Sequence, residues 1–144
     1  VVLPTRELAL QVDEVLRKVG HSLGLRTAVL IGGTSLVPQV EALRKNPHII
    51  VVTPGRLIDH LNQKNVRLDR AGIVVLDEAD RMLDMGFMPQ IQRILAALYD
   101  IKKLKDGDGT MPTETTSGPQ VIVKEVIRYV TISSTLKEPV LELN

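Results

Sequence analysis

Residues 73–87 read IVVLDEADRMLDMGF. Four apolar residues, Ile73 to Leu76, run directly into Asp77, Glu78, Ala79 and Asp80. A short, unbroken apolar run is the pattern of a strand covered on both faces, as in a parallel sheet flanked by helices. Three carboxylates where such a strand ends are costly when unpaired. They belong at the strand mouth, with a metal or another cation opposite.

Working outward, the same kind of run recurs, separated by helical patterns. Val1–Leu3 reads as the end of a strand, and the chain opens inside an apolar run, as a fragment cut within a strand would. From Thr5, apolar residues Leu8, Val12, Val15, Leu16 and Val19 follow helical spacing until Gly20. TAVLI (27–31) is a strand closed by Gly32-Gly33, and Ser35 is placed to cap a helix through about Lys45. HIIVV (48–52) is the next strand, and Pro54 to about Leu61 the next helix. After the 73–76 strand, Ile91, Ile94, Leu95 and Leu98 mark a helix ending near Tyr99. The alternation predicts an α/β fold with a mostly parallel sheet and helices on both faces. Ligands of such folds bind beyond the carboxyl ends of the strands. Residues 100–119 are polar and rich in Gly, Pro and Thr, so they read as a long loop or insert. QVIVKEVIRYVTIS (120–133) is rich in β-branched residues and reads as strand, with a single helix as the alternative. The expected organisation is a domain over 1–99, a polar loop or insert over 100–120, and a divergent final strand and tail of the same domain over 121–144.

The bulk numbers narrow the function. The 144 residues suffice for one domain with a core. There is no cysteine, which excludes disulfides and thiolate zinc sites. No apolar run approaches the ~20 residues of a membrane helix, and a cytoplasmic location is the default expectation. The net charge of +1 gives no bulk attraction to nucleic acid, so any such binding rests on local placement of cations. The aromatics are Phe87, Tyr99 and Tyr129 alone, too few for a base-stacking platform. A polynucleotide bound here would be gripped by its backbone, without reading of sequence.

Two strand ends share one plan. LPTREL (3–8) and VTPGRL (52–57) each place Thr, Pro and Arg between an apolar strand and a helix. Thr53 suits an N-cap and Pro54 a first helical position, leaving the N–H groups of Gly55 and Arg56 free. Thr5 is the matching cap after Pro4, with Arg6 beside it. A helix N-terminus with an adjacent Arg suits phosphate. The alternative for each copy alone is an ordinary capped helix with a solvated arginine. Two copies on one edge of a parallel sheet favour a phosphate-backbone track. Gly32-Gly33, read alone, is a turn needing positive φ.

A strand ending in Asp-Glu suits a Mg2+-dependent nucleotide hydrolase. Asp77 would hold Mg2+ through water, and Glu78 would orient and deprotonate the attacking water. Asp80, Arg81 and Asp84 are close enough in sequence to form a charged network. The alternative is a surface acidic turn capping the next helix.

Taken together, PTRELA (4–9), GG (32–33), TPGR (53–56) and VLDEADRMLDMGF (75–87), in this order and approximate spacing, resemble the first RecA-like domain of a DEAD-box RNA helicase. The resemblance covers residues 1 to about 99, and the DEADRMLDMGF continuation resembles the general bacterial-type members. It implies a RecA-like, P-loop NTPase type sheet, here truncated at the N-terminus. It implies that Pro4, Thr5, Arg6, Gly32, Gly33, Thr53, Pro54, Gly55 and Arg56 contact the RNA sugar–phosphate backbone. Asp77 and Glu78 would serve Mg2+ and ATP hydrolysis. Asp80 would link the ATP site to a later Ser-Ala-Thr motif that couples hydrolysis to strand separation. DNA helicases of the same superfamily fit less well, since DEAD with PTRELA and TPGR favours the RNA branch.

The chain also departs from that pattern. No G-x-x-x-x-G-K-[ST] loop is present, and GHSLGLRT (20–27) has the wrong glycine spacing and no Lys. In the family, that loop and an adenine-reading segment lie upstream of PTRELA, so they would precede Val1. The second RecA-like domain would follow Asn144. For the coupling motif, ISSTLKEPVLEL (132–143) has Ser134 in place of Ala but follows an apolar strand, which favours Ser133 and Thr135. DGTMPTE (108–114) lies nearer the family spacing but lacks the Ser and the strand. The expectation is an ATP-dependent RNA helicase for the full-length protein. The alternative is a truncated, catalytically inactive RNA-binding domain, which is the expectation for the 144 residues alone.

Overall fold

In the computed structural model, which describes residues 1–68, 71–106 and 120–123, one row of residues organises the sheet. Leu30, Val52, Val2, Leu76 and Val123 stand in register across it, every neighbouring pair parallel. They belong to β1 (Thr27–Leu30), β2 (Ile49–Val52), the Val1–Leu3 segment, β3 (Ile73–Leu76) and β4 (Gln120–Val123). The Val1–Leu3 segment lies between β2 and β3. Val2 donates to Val75 O at 2.8 Å, and Leu3 to Val52 O at 2.9 Å. The Val1 nitrogen donates to Ile50 O at 2.7 Å.

Alternation along the strands sorts the apolar residues onto two faces. Leu30, Val52, Val2, Val74 and Leu76 face a core with Leu57, Ile58, Met82, Ile91, Ile94, Leu95 and Leu98. Those partners come from α3 (Pro54–Asn62), α4 (Ala79–Asp84) and α5 (Met88–Asp106). Leu43 of α2 (Val37–Arg44) joins the same side. Ile31, Val51 and Leu3 face the other way, against Ala9, Leu8, Val12 and Leu16 of α1 (Arg6–Gly20). The expected doubly covered parallel sheet is therefore what forms.

Two boundaries differ from the sequence reading. α2 begins at Val37, although Ser35 Oγ does accept the Val37 N–H at 3.3 Å. α5 continues past Tyr99 to Asp106, so 100–106 is helix where a loop was expected. The extension has a simple cause: Ile, Lys and Leu sustain a helix, and the first breaker is Gly107. The strand expected over 120–133 is described for Gln120–Val123; its remainder lies outside the described residues.

Among the described residues, no helix packs on Ile73 from the α1 side of the sheet. Ile73 is 60% exposed, although Val74 beside it is buried. An apolar groove of about 570 Å3 is lined in part by Val1, Ile49, Ile50, Ile73 and Val74. Strand positions left without a partner invite association. The 144-residue chain alone is expected to be poorly soluble or partly molten. Broad amide resonances and dye binding to exposed apolar surface would bear this out; a sharp cooperative melt with dispersed amide shifts would contradict it.

Candidate functional site

All four strand ends of interest leave the sheet from the same row. The chain passes from Leu30 to Ile31, from Val52 to Thr53, from Val2 to Leu3, and from Leu76 to Asp77. Because every pairing is parallel, loops 31–34, 53–56, 4–6 and 77–80 lie side by side on the carboxyl edge, in that order. At the usual strand spacing the first and last are about 14 Å apart.

The two Thr-Pro-Arg copies differ in detail. In α1, Thr5 Oγ1 accepts the Leu8 N–H at 3.3 Å, a cap that contributes about 1 kcal/mol. In α3, Thr53 stands at the N-cap position but its side chain makes no capping bond. The first-turn donors of α3 therefore have no side-chain acceptor from the cap, and this copy is the better anion cradle. Gly55 is exposed, and a Cβ there would meet open space. Pro4 and Pro54 are buried within the two turns.

The arginines also part ways. Arg6 is exposed, and its guanidinium lies across Gly33, where an added Cβ would collide with Nη1. The Arg56 side chain is only 10% exposed. Its Nη1 donates to Thr34 O at 3.0 Å, and its Nε sits 3.5 Å from Asp59. Of the glycine pair, Gly33 alone needs glycine for its backbone, at φ +72; Gly32 is outside that region.

At the acidic end, Asp77 N donates to Val2 O at 3.0 Å, which anchors the residue to the sheet row. Its Oδ1 accepts the Glu78 N–H at 3.1 Å. Glu78 occupies the left-handed region at φ 53, a conformation that costs on the order of 1 kcal/mol for a non-glycine residue. Glu78 pairs with Arg81 at 3.3 Å. The arginine expected to knit Asp80 and Asp84 together thus engages the candidate base instead. Asp80 lies in the first turn of α4, half-buried.

Among the described residues no group of three or more His, Asp or Glu converges on one point. An all-protein cation cage is therefore absent among them. Mg2+ keeps several waters and is commonly held through one or two carboxylates plus substrate phosphates. Asp77 at a strand mouth fits that donor set. Ser133, Thr135 and the rival segment 108–114 lie outside the described residues.

Sequence reading missed the residues that join the loops. His60 of α3 is fully buried, and Gln39 of α2 is 6% exposed. His60 Nε2 lies 3.0 Å from Gln39 Oε1, while Gln39 Nε2 donates to Ile31 O at 2.9 Å and to Thr34 Oγ1 at 2.8 Å. Burial holds His60 below the usual imidazole range; the Arg56 cation adds to this and Asp59 opposes it. A Gln and a His in helices, 21 positions apart, carry no pattern that would have flagged them.

Comparison with known proteins gives a consistent result. The profile of the family described as DEAD/DEAH box helicase matches residues 1–143. A DEAD-box ATP-dependent RNA helicase, CshA, of Bacillus licheniformis is 53% identical over 96 residues, covering 67% of this chain and 20% of that protein. An ATP-dependent rRNA helicase, RRP3, of Yarrowia lipolytica is 50% identical over 99 residues, covering 68% and 21%. The crystal structure of a DEAD box protein from the hyperthermophile Methanococcus jannaschii aligns with a TM-score of 0.68 at 34% identity, over 85% of this chain and 29% of that one. The chain thus spans about a fifth of the curated relatives it matches. Among the described residues, no helix is long and apolar enough to cross a membrane.

Proposed function

Since the chain belongs to the DEAD/DEAH box helicase family, we propose that it is the RNA-gripping and water-activating part of an ATP-dependent RNA helicase. The observation that carries this reading is the register row Leu30–Val52–Val2–Leu76. It sets three phosphate-suited loops and one Asp-Glu strand end along a single edge.

In this reading, Arg6, Gly32-Gly33 and the turn Thr53–Arg56 hold successive stretches of an RNA sugar–phosphate backbone. Base identity goes unread, because the described edge carries cations and N–H donors but no aromatic platform. Asp77 would hold Mg2+ through water, and bound Mg2+ supplies charge neutralisation at the ATP phosphates. Glu78 orients the attacking water and accepts its proton. Release from Arg81 would free the Glu78 carboxylate for that role. Asp80 joins this end to the coupling hydroxyls assigned to Ser133 and Thr135. ATP closes this domain against a second RecA-like domain outside these residues; closure bends one RNA strand and opens the duplex locally, and hydrolysis resets the clamp.

A narrower reading applies to the 144 residues by themselves: they bind RNA and do not turn over ATP. It is favoured by the lack of any G-x-x-x-x-G-K-[ST] pattern among them. Positioning the phosphates is most of phosphoryl-transfer catalysis, and residues outside these 144 would have to supply it. Steady-state ATPase assays test both statements. The full-length protein is expected to hydrolyse ATP in a manner stimulated by single-stranded RNA of any sequence, and the 144-residue chain to hydrolyse none. RNA-independent turnover by the full-length protein would refute the first statement, and turnover by the short chain the second.

A further inference from the structure

We infer that the buried Gln39–His60 pair is a positioning element: it clamps the glycine loop to α3, so that loops 32–34 and 53–56 meet RNA as one preformed surface. The inference rests on the RNA-backbone reading above.

Arg56 and His60 are four residues apart on α3 and so share one helix face. Both reach the same loop by different routes. Arg56 Nη1 bonds Thr34 O directly, at 3.0 Å. His60 bonds Gln39, whose Nε2 then bonds Ile31 O and Thr34 Oγ1. The two acceptors fix which end of the Gln39 amide faces them, so Oε1 faces the imidazole. His60 must then donate from Nε2. Its Nδ1 is left as the acceptor 3.5 Å from Asn65 Nδ2, just beyond the end of α3.

An apolar pair would fill this volume without desolvating an amide and an imidazole. What a polar pair adds is direction. The loop it holds includes Gly33 at φ +72, a residue whose backbone has wide freedom when untethered. Ordering such a loop on ligand contact lowers affinity, and a prior tether removes that cost. Asn65, His60, Gln39 and Thr34 therefore form a chain of bonds from the far end of α3 to the proposed RNA surface. None of these four side chains is itself assigned an RNA contact.

The test uses the full-length protein, a fluorescent oligouridylate and a non-hydrolysable ATP analogue. Gln39→Met and His60→Leu are each expected to weaken RNA binding about tenfold, the scale of one lost buried hydrogen bond, and to lower the melting temperature. In the double variant the imidazole and the amide no longer orphan each other. Ile31 O and Thr34 Oγ1 still lose the Gln39 donor and keep only their mutual bond at 3.2 Å. The melting temperature should therefore recover in part while RNA binding stays about tenfold weak. Affinity for ATP without RNA should not change. A double variant that recovers RNA binding together with stability would make the pair purely structural and overturn the inference. Should the double variant not fold, hydrogen exchange on Gln39→Met decides. Faster exchange confined to residues 31–35 supports the clamp, and unchanged exchange there refutes it. A wild type that binds no RNA overturns the RNA-backbone reading and the inference with it; variants that match a binding wild type overturn the inference alone.

Discussion

Replacing Glu78 with Gln in the full-length protein is expected to lower ATP turnover by about 10²–10⁴-fold, the usual contribution of a positioned general base. ATP and RNA binding should both persist. The substitution is close to isosteric, so the backbone at φ 53 meets the same demand with either side chain. Gln retains a carbonyl oxygen for the contact with Arg81, which lies 3.3 Å from the carboxylate. What Gln lacks is an oxygen that can accept the proton of the attacking water. Single-turnover hydrolysis beside equilibrium nucleotide binding separates these effects. Retained hydrolysis would remove Glu78 from the role of base. Loss of nucleotide binding in step with hydrolysis would mean that the charge of Glu78 serves the fold or the phosphates instead.

The second large effect is expected from Gly33→Val, which should weaken RNA binding by at least about tenfold while leaving ATP binding in place. Two causes act together. A β-branched residue at φ +72 is strained, by about 1–3 kcal/mol, so the loop would move to relieve it. The new Cβ would also strike Arg6 Nη1. Arg6 is a flexible, exposed side chain and yields readily, so the fold should tolerate the collision. The proposed phosphate contacts of Arg6 would not, because the guanidinium is pushed off the loop it lies across. Gly32→Ala, in the same proposed RNA-contacting pair, is the comparison: its backbone lies outside the left-handed region and a Cβ there meets no protein atom, so a smaller loss is expected from it. Equal losses at both positions would show that the loop tolerates no side chain at all, and would undo the argument from Arg6. Wild-type affinity in Gly33→Val would remove loop 32–33 from the RNA surface.

Some elements could be read directly from the chain. The runs at 27–31, 48–52 and 73–76 are largely apolar without alternation, as strands covered on both faces are. The structure covers both faces of the first two, while on the third Val74 and Leu76 are buried and Ile73 is exposed. Thr5 and Thr53 mark helix starts because few residues suit that position, and α1 and α3 begin after them. Where the reading failed, the deciding contact was distant in sequence or depended on a detail of geometry. The sequence pattern ends α5 near Tyr99, because a charged stretch of helix and a polar loop have similar composition; the helix runs on to Asp106. Thr53 looked identical to Thr5, yet only Thr5 makes the capping bond. Arg56 read as a donor beside a helix N-terminus; its bond to Thr34 O and its approach to Asp59 are contacts that the sequence did not signal.

By itself, then, the sequence determined the parallel α/β class, the chemistry available at each strand end and, through the order of four motifs, the family. Those are properties of local pattern, and local pattern survives in one dimension. The tertiary structure decided which strand ends are neighbours. Val1–Leu3 enters between β2 and β3, though the three are up to 75 residues apart, and that insertion sets Thr5 and Arg6 between the turn at 53–56 and the acids at 77–80. It also decided that Gln39 and His60 meet. A strand's neighbour and a buried polar partner are chosen by which packing leaves the fewest unpaired groups across the whole core, and no short stretch of chain encodes that choice.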